Sequence, residues 1–192
     1  LRQVKGGEAL ERAGAITVVV LDKTGTVTEG RPTVTDMIPA GGIDERRLLT
    51  LAASVERSSE HPLADAVIRK MEEMHLRPFP VEQLTAMPGK GVRGVVLMGP
   101  IKRTVLFGTS SFLQKEGIKM GDLLPQMDRL QGEGKTCMAL ALEGKAIGLI
   151  SVADTIKPEA KEAIGKLRRL GIEPVMMTGD NRKTADAVAE IL

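Results

Sequence analysis

The sequence predicts an α/β domain built on a parallel sheet and interrupted by an inserted α+β domain with an antiparallel sheet. Two observations predict the outer part. The apolar run Ile16 to Leu21 ends in Asp22-Lys23-Thr24-Gly25-Thr26, and alternation of strand and helix patterns resumes after Ala153. A third predicts the insertion: from about Thr35, helical patterns are followed by short alternating runs separated by turn signals. The expected division is 1–34 and 150–192 for the outer domain and 35–149 for the inserted one.

The elements follow in order. A short helix is expected in the first segment, then a buried strand over Ile16 to Leu21. Gly30-Arg31-Pro32 ends the turn after it. Glu45 to Val55 reads as a helix, and Pro62 to His75 as a second, with Pro62 in its first turn. Within that second helix Leu63, Val67, Met71 and Met74 recur at four- and three-residue spacing and define one buried face. Val92 to Met98 with Lys102 to Phe107 reads as a hairpin around Gly99-Pro100, and Thr136 to Leu142 with Lys145 to Val152 as another around Glu143-Gly144. Pro158 to Leu170 places Ala160, Ala163, Ile164, Leu167 and Leu170 on one helical face. Pro174 to Met177 reads as a short buried strand, and Asn181 to Leu192 as a helix. Asp22 and Asp180 each follow an apolar strand, so strand ends far apart in sequence can converge on one site.

Composition bounds the reading. The 192 residues are 42% hydrophobic, enough for a packed core. Formal charge is 27 minus 25, or +2, with the charges interspersed, so neither nucleic acid nor an anionic membrane surface is an expected partner. Near the amino end the longest apolar run is Val18 to Leu21, against the roughly 20 residues that a membrane-spanning helix needs. Cys137 is the single cysteine, which excludes an internal disulfide and any Cys-x-x-Cys site and fits a reducing compartment. Leu1 opens onto a polar, charged segment with no cleavable signal.

The residues themselves suggest chemistry at Asp22. A carboxylate at the carboxyl end of a parallel strand, beside a glycine that lets the backbone turn close to a phosphate, can attack a γ-phosphoryl group and become an acyl phosphate. The blander reading of an Asp-Lys pair alone is a turn after a strand. Lys157, within Asp154-Thr155-Ile156-Lys157-Pro158, reads by itself as a solvated lysine at a helix start, and Thr178-Gly179-Asp180 as a turn and helix cap.

The complete run Asp22 to Thr28 nevertheless matches Asp-Lys-Thr-Gly-Thr-x-Thr, and three further matches follow in order: Ser59-Glu60-His61-Pro62, Gly89-Lys90-Gly91-Val92 and Thr178-Gly179-Asp180. On these residues the chain resembles the P-type ATPases, ion pumps that pass through an aspartyl-phosphate, and the Ser-Glu-His-Pro element resembles their heavy-metal branch. The resemblance runs from Lys5 to the last residue. It implies a haloacid-dehalogenase-like phosphorylation domain, with an inserted nucleotide-binding domain, on the cytoplasmic side of the cell membrane. Asp22 would be the phosphorylated residue, with Lys23, Thr24, Lys157, Thr178, Gly179 and Asp180 as further catalytic residues: Lys157, Thr178 and Gly179 as donors to the phosphate, Asp180 orienting its loop. Mg²⁺ would be held by the Asp22 carboxylate and the Thr24 backbone carbonyl. Related phosphatases of this fold carry an aspartate two residues after the nucleophile as a base. Thr24 stands there instead and cannot serve, which implies a longer-lived acyl phosphate.

ATP would bind in the inserted domain at Glu56, His61, Gly89 and Gly91, the histidine stacking near adenine and the glutamate hydrogen-bonding its edge. With no Trp and no Tyr, an imidazole and bare backbone are the better candidates for the base. Gly108-Thr109 departs from the Gly-Asn common in relatives, which puts that loop's contribution in question. The ten methionines invite a transport-metal role, but Met71, Met74, Met176 and Met177 fall in periodic elements and read as core, as does Cys137. The transported ion would bind intramembrane ligands outside this chain. Expected partners are ATP and the transmembrane and actuator domains of a full-length pump, with the chain itself monomeric. The family's further lysine and Gly-Asp-Gly-x-Asn-Asp segment would follow Leu192, so the phosphorylation domain is expected to be incomplete here, binding nucleotide but phosphorylating poorly. Context around Glu8 to Glu11 and Thr26 to Gly30 favours Cu⁺ export over Zn²⁺, Cd²⁺ or Pb²⁺ transport. A stand-alone phosphatase or nucleotide-binding module of the same fold is the alternative.

Overall fold

The computed structural model describes residues 14–192, so most of the first segment, where a short helix is expected, lies outside the described residues. Two sheets form. β1 (Val18–Asp22) pairs in parallel with β8 (Glu173–Met177), while β2 (Thr33–Pro39), β3 (Val81–Met87), β4 (Gly91–Met98), β5 (Ile101–Gly108), β6 (Thr136–Leu142) and β7 (Lys145–Ala153) make an antiparallel sheet in the order β2-β7-β6-β5-β4-β3. Both expected hairpins are present: Met98 pairs with Ile101 across Gly99-Pro100, and Leu142 with Lys145 across Glu143-Gly144. The antiparallel sheet runs from Thr33 to Ala153, so both its ends extend beyond the expected segment 35–149.

Alternation along the central strands sends side chains to two separate cores. On one face Val92, Val96, Val105, Phe107, Leu140 and Ile150 meet α1 (Glu45–Glu56) and α2 (Pro62–Glu73). On the other, Leu106, Ala139 and Leu149 meet α3 (Ser110–Lys115) and α4 (Leu123–Gly132). α1 starts where the Asp44 carboxylate accepts from the Arg47 N–H at 2.7 Å. From Leu48 to Glu56 every residue of α1 is buried, because the helix lies between the sheet and α2 and has no free face. Each fully buried leucine among them contributes on the order of 2 kcal/mol. The predicted face of α2 is as expected: Val67 and Met71 are buried and Leu63 and Met74 pack partly against the same core.

The outer unit departs from expectation in its burial. Ile16, Val18 and Val20 are exposed at 46%, 45% and 58%, and Val175 and Met177 at 40% and 61%, so neither strand is the buried one predicted. Two strands alone cannot cover each other's faces; among the described residues the parallel sheet has no third strand, α5 (Pro158–Arg169) packs on β8, and α6 (Arg182–Ile191) packs against α4. The core reading of Met177 fails for the same reason, while Met176 is half-buried; on the predicted helical face Ile164 is buried and Ala160 and Leu167 are half-buried, but Ala163 is exposed and Leu170 is 74% exposed.

Candidate functional site

β1 and β8 run side by side with Leu21 opposite Met176 and Asp22 opposite Met177, so the two following loops emerge together. The predicted convergence of Asp22 with Thr178, Gly179 and Asp180 is thus a consequence of parallel pairing. Asp22 is exposed at the strand end and its side chain does not cap the turn that follows. That turn is wide: the Thr28 N–H donates to the Lys23 carbonyl at 3.0 Å, spanning five residues, and Gly25 passes through it at φ +80°. Only glycine takes that φ at no steric cost, so its place in the motif is a backbone requirement.

Lys23 turns away from solvent. Its ammonium pairs with the Asp180 carboxylate, both side chains 11% exposed, and Asp180 also accepts from Thr136 Oγ1 at 2.8 Å and Thr178 Oγ1 at 3.2 Å. Burial opposes ionisation of Asp180, but the bonds from Lys23, Thr136 and Thr178 outweigh it and hold its carboxyl below the ordinary range. Asp180 therefore ties its loop to Lys23 and to Thr136. Lys157 precedes Pro158, the first residue of α5; its Nζ donates to the Gly25 carbonyl at 2.6 Å and its N–H to the Val27 carbonyl at 3.0 Å, which puts a cation at the turn that follows Asp22. Thr24 lies in the same turn, exposed. Gly179 sits with open space around it.

Among the described residues no group of three His, Cys, Asp or Glu side chains is placed to hold a metal. The donor set of Asp22 and the Thr24 carbonyl still fits Mg²⁺, which takes one or two carboxylates and fills the rest of its octahedron with water and phosphate oxygens.

The second cluster lies in the inserted domain. Glu56 closes α1 and is buried, and burial pushes its carboxyl up, with Ser59 opposing in part. Ser59 links the rest of the connection: its N–H donates to the Glu56 carbonyl at 2.9 Å and its Oγ accepts from the His61 N–H at 3.3 Å. His61 caps α2, its Nδ1 accepting from the Leu63 N–H at 3.2 Å, which leaves Nε2 to carry the proton and face outward. On β4, a Cβ built on Gly94 would lie 3.2 Å from Val55, so the end of α1 sits over this strand three residues along from Gly91. Gly89 lies in the turn between β3 and β4, and Gly91 is the first residue of β4. Gly91 has a packing role that the sequence did not reveal: a Cβ there would lie 2.3 Å from the Phe107 carbonyl oxygen, because Gly91 pairs with Gly108 in a close crossing. Thr109, the departure from the expected asparagine, keeps that loop intact by capping α3, accepting from the Phe112 N–H at 3.2 Å while its own N–H donates to the Lys90 carbonyl at 2.8 Å.

A cavity of about 360 Å³ along the edge of β2, lined by Thr35, Asp36, Lys70 and Arg129 among others, includes none of these residues. Sequence reading missed Thr136, which had no signal at the start of a strand, and gave no role to Asp154, which opens the Asp-x-x-Lys-Pro run that carries Lys157.

A strand-end aspartate facing a second strand-end loop of Thr-Gly-Asp, with an inserted domain between, is the arrangement that decides the family. The chain belongs to the haloacid dehalogenase-like hydrolases, whose model matches residues 16–192. This haloacid dehalogenase-like chain is 44% identical over 186 residues to the copper-exporting P-type ATPase of Bacillus subtilis (strain 168), covering 97% of this chain and 23% of that protein. It is 43% identical over 189 residues to the copper-transporting P-type ATPase of Rhizobium leguminosarum bv. viciae, covering 98% and 22%. A crystal structure of a zinc-transporting PIB-type ATPase in the E2.Pi state superposes with a TM-score of 0.69 at 36% identity, covering 98% of this chain and 30% of that one. The haloacid dehalogenase-like chain thus spans under a quarter of the length of these curated relatives.

Proposed function

We propose that this chain is the ATP-binding and phosphorylation region of a heavy-metal-transporting P-type ATPase, with Cu⁺ export as the favoured activity. The observation that carries the reading is the exposed Asp22 at the end of β1, opposite the Thr178-Asp180 loop, with Thr24 where a hydrolytic base would stand. The copper relatives, at 44% and 43% identity, favour copper over the zinc suggested by the structural neighbour at 36%.

An Asp22 carboxylate oxygen attacks the γ-phosphorus of ATP, the bond to the β-γ bridging oxygen breaks, and ADP leaves with that bond's electron pair. Lys157 balances charge on the transferring group, and the Thr178 hydroxyl and Gly179 N–H donate to its oxygens. Asp180, tied to Lys23, fixes the loop that presents those donors. Mg²⁺ bound to the Asp22 carboxylate and Thr24 carbonyl would neutralise phosphate charge. Water then attacks phosphorus, releases inorganic phosphate and restores the carboxylate. Glu56, His61, Gly89 and Gly91 receive the base and phosphates of ATP. The division into a phosphorylation unit and a nucleotide-binding insertion follows the crossing near Arg31 and Asp154.

The remaining partners are the membrane and actuator domains of a full-length pump, with this region on the cytoplasmic side. No helix of the described residues is long and apolar enough to cross a membrane, so the ion path belongs to other segments. The test is radiolabelling of the full-length protein with γ-labelled ATP. Acid-stable, hydroxylamine-sensitive label is expected, and Asp22→Asn abolishes it; label that survives the substitution refutes the reading.

A further inference from the structure

We propose that Lys90 binds the phosphate chain of the nucleotide in the inserted domain, so that this site selects its ligand by phosphate number. The inference deepens the proposed function and rests on its placing of ATP at Glu56, His61, Gly89 and Gly91.

The turn that carries Lys90 is rigid. Its N–H donates to the Met87 carbonyl at 2.9 Å, closing a four-residue turn with Pro88 second and Gly89 third at φ +69°. Proline presets the second position of a type II turn and glycine takes the left-handed third. On the other side, the Lys90 carbonyl accepts from the Thr109 N–H at 2.8 Å, and a Cβ on Gly108 would collide with that carbonyl oxygen. Both backbone polar groups of Lys90 are fixed, so its side chain leaves the turn from a defined point. Gly91 faces α3, since a Cβ there would lie 2.9 Å from Phe112, whereas Val92 is buried in the core shared with α1 and α2. Alternation through Gly91 therefore assigns Lys90 to the face of Val92, on which Glu56 ends α1 and His61 caps α2.

Charge is the second observation. Glu56, two glycines and a His61 ring whose Nδ1 accepts a hydrogen bond offer contacts to a base, but set no positive charge against a triphosphate. The neighbouring cations are engaged elsewhere: Arg93 pairs with Glu116 at 3.5 Å, Lys102 with Glu82 at 2.8 Å, and Arg57 lines a cleft with Ile68, Met71, Glu72 and Leu76. Lys90 is exposed and, among the described residues, has no carboxylate in salt-bridge reach. In the outer unit Lys157 serves the group being transferred, which leaves the α- and β-phosphates to the insertion. An ammonium on a flexible four-carbon stem suits them, because it follows phosphate oxygens as a point charge with rotatable donors. The base contacts are then common to every adenine nucleotide, and Lys90 adds a charge-assisted bond only where phosphates extend from the ribose.

The experiment titrates this chain calorimetrically with ATP, ADP, adenosine and inorganic tripolyphosphate, comparing the wild type with Lys90→Met, Lys90→Arg and Lys102→Met. Lys90→Met is expected to weaken ATP and ADP about tenfold and to flatten the salt dependence of their binding, while adenosine is held as in the wild type. Lys90→Arg, which keeps the charge, and Lys102→Met, which removes one from the next strand, both stay near wild type. In the full-length protein Lys90→Met raises the ATP concentration for half-maximal phosphoenzyme formation by the same factor and leaves the rate at saturating ATP unchanged. Wild-type ATP affinity in Lys90→Met overturns the proposal. An equal loss for adenosine overturns it too, since Lys90 then only shapes the turn, as does an equal loss in Lys102→Met, which reduces the effect to overall surface charge. Tripolyphosphate, which has no base, separates this inference from the reading beneath it. Absence of heat from ATP in the wild type defeats the proposed function; Lys90 then stands if tripolyphosphate binds the wild type and not Lys90→Met, and falls if it binds both alike or neither.

Discussion

At the scale of single residues, Glu56 and Cys137 show how one force gives two outcomes. Burial pushes the Cys137 thiol up to about 12, Ser151 only partly opposing, and the side chain becomes an inert piece of core, as its place in an apolar strand suggested. Burial also raises Glu56, yet its carboxyl stands at the end of α1 beside Ser59 and His61, where a ligand's donor could stabilise its charged form. The sign follows from linkage. The folded chain holds this proton more tightly than the unfolded one, so Glu56 withdraws stability as pH rises from the ordinary glutamate value, about 4.3, through its raised folded value. A base amino group hydrogen-bonded to the carboxylate reverses that preference, so ATP affinity should strengthen over the same pH window. Glu56→Gln should weaken binding at neutral pH by about tenfold or more and remove the pH dependence. Calorimetric titrations of both proteins across the window decide this, and a parallel pH dependence in the two would refute it. Asp22, Lys157, Thr178 and Asp180 were legible in the sequence because motif chemistry is local. The Lys23 partnership with Asp180 was not, because it needs two strand ends brought together.

Among elements, legibility tracked burial and periodicity. α1, α2, β4, β5, β6 and β7 were readable because each carries its own pattern: a helical face, a buried run or a hairpin turn. β2 and β3 were not. Both are edge strands, and β2 reads Thr33-Val34-Thr35-Asp36-Met37-Ile38-Pro39, with the charge and terminal proline that an edge tolerates and a central strand does not. In β3 the register slips between Glu82 and Thr85, with Gln83 at φ +51°, which breaks the alternation a reader would look for. The glycine turn beside β4 shows the converse, a motif legible as binding chemistry whose structural duty was hidden. Gly91, at φ +151° and with no room for a Cβ against Phe107, holds the start of β4 against β5. Gly91→Ala should cost about 1–3 kcal/mol from backbone strain. Urea unfolding should show a lowered midpoint with an unchanged slope. A midpoint equal to that of the wild type would show that the crossing can widen freely.

For the molecule as a whole, the sequence separated outer and inserted parts but said nothing of how they touch, because residues on opposite sides of a chain crossing share no local pattern. Thr136, at the start of β6, donates to Asp180; Thr184 Oγ1 in α6 donates to the Lys135 carbonyl at 3.1 Å; and Val188 lies 3.2 Å from where a Cβ on Gly134 would stand. The inserted sheet is thereby fastened to the loop after β8, and Asp180 is the shared member, bonded at once to Lys23 and to Thr136. Its depressed carboxyl contributes stability above the ordinary aspartate value, about 3.9, and that contribution is lost as pH falls through the lower folded value. Acid should therefore loosen this contact only below about pH 4. At neutral pH the same loosening can be produced by Thr136→Val, which keeps shape but removes the donor. Hydrogen exchange should then accelerate at amides of β8 and α6, including Met176 and Thr184, while amides shared by β4 and β5, such as Val95, keep wild-type protection. Faster exchange everywhere would mean that Thr136 supports the inserted sheet itself, and no change would mean that Lys23 and Thr178 suffice to hold Asp180. The localised pattern follows only if a threonine from the insertion completes the coordination of an aspartate in the outer unit.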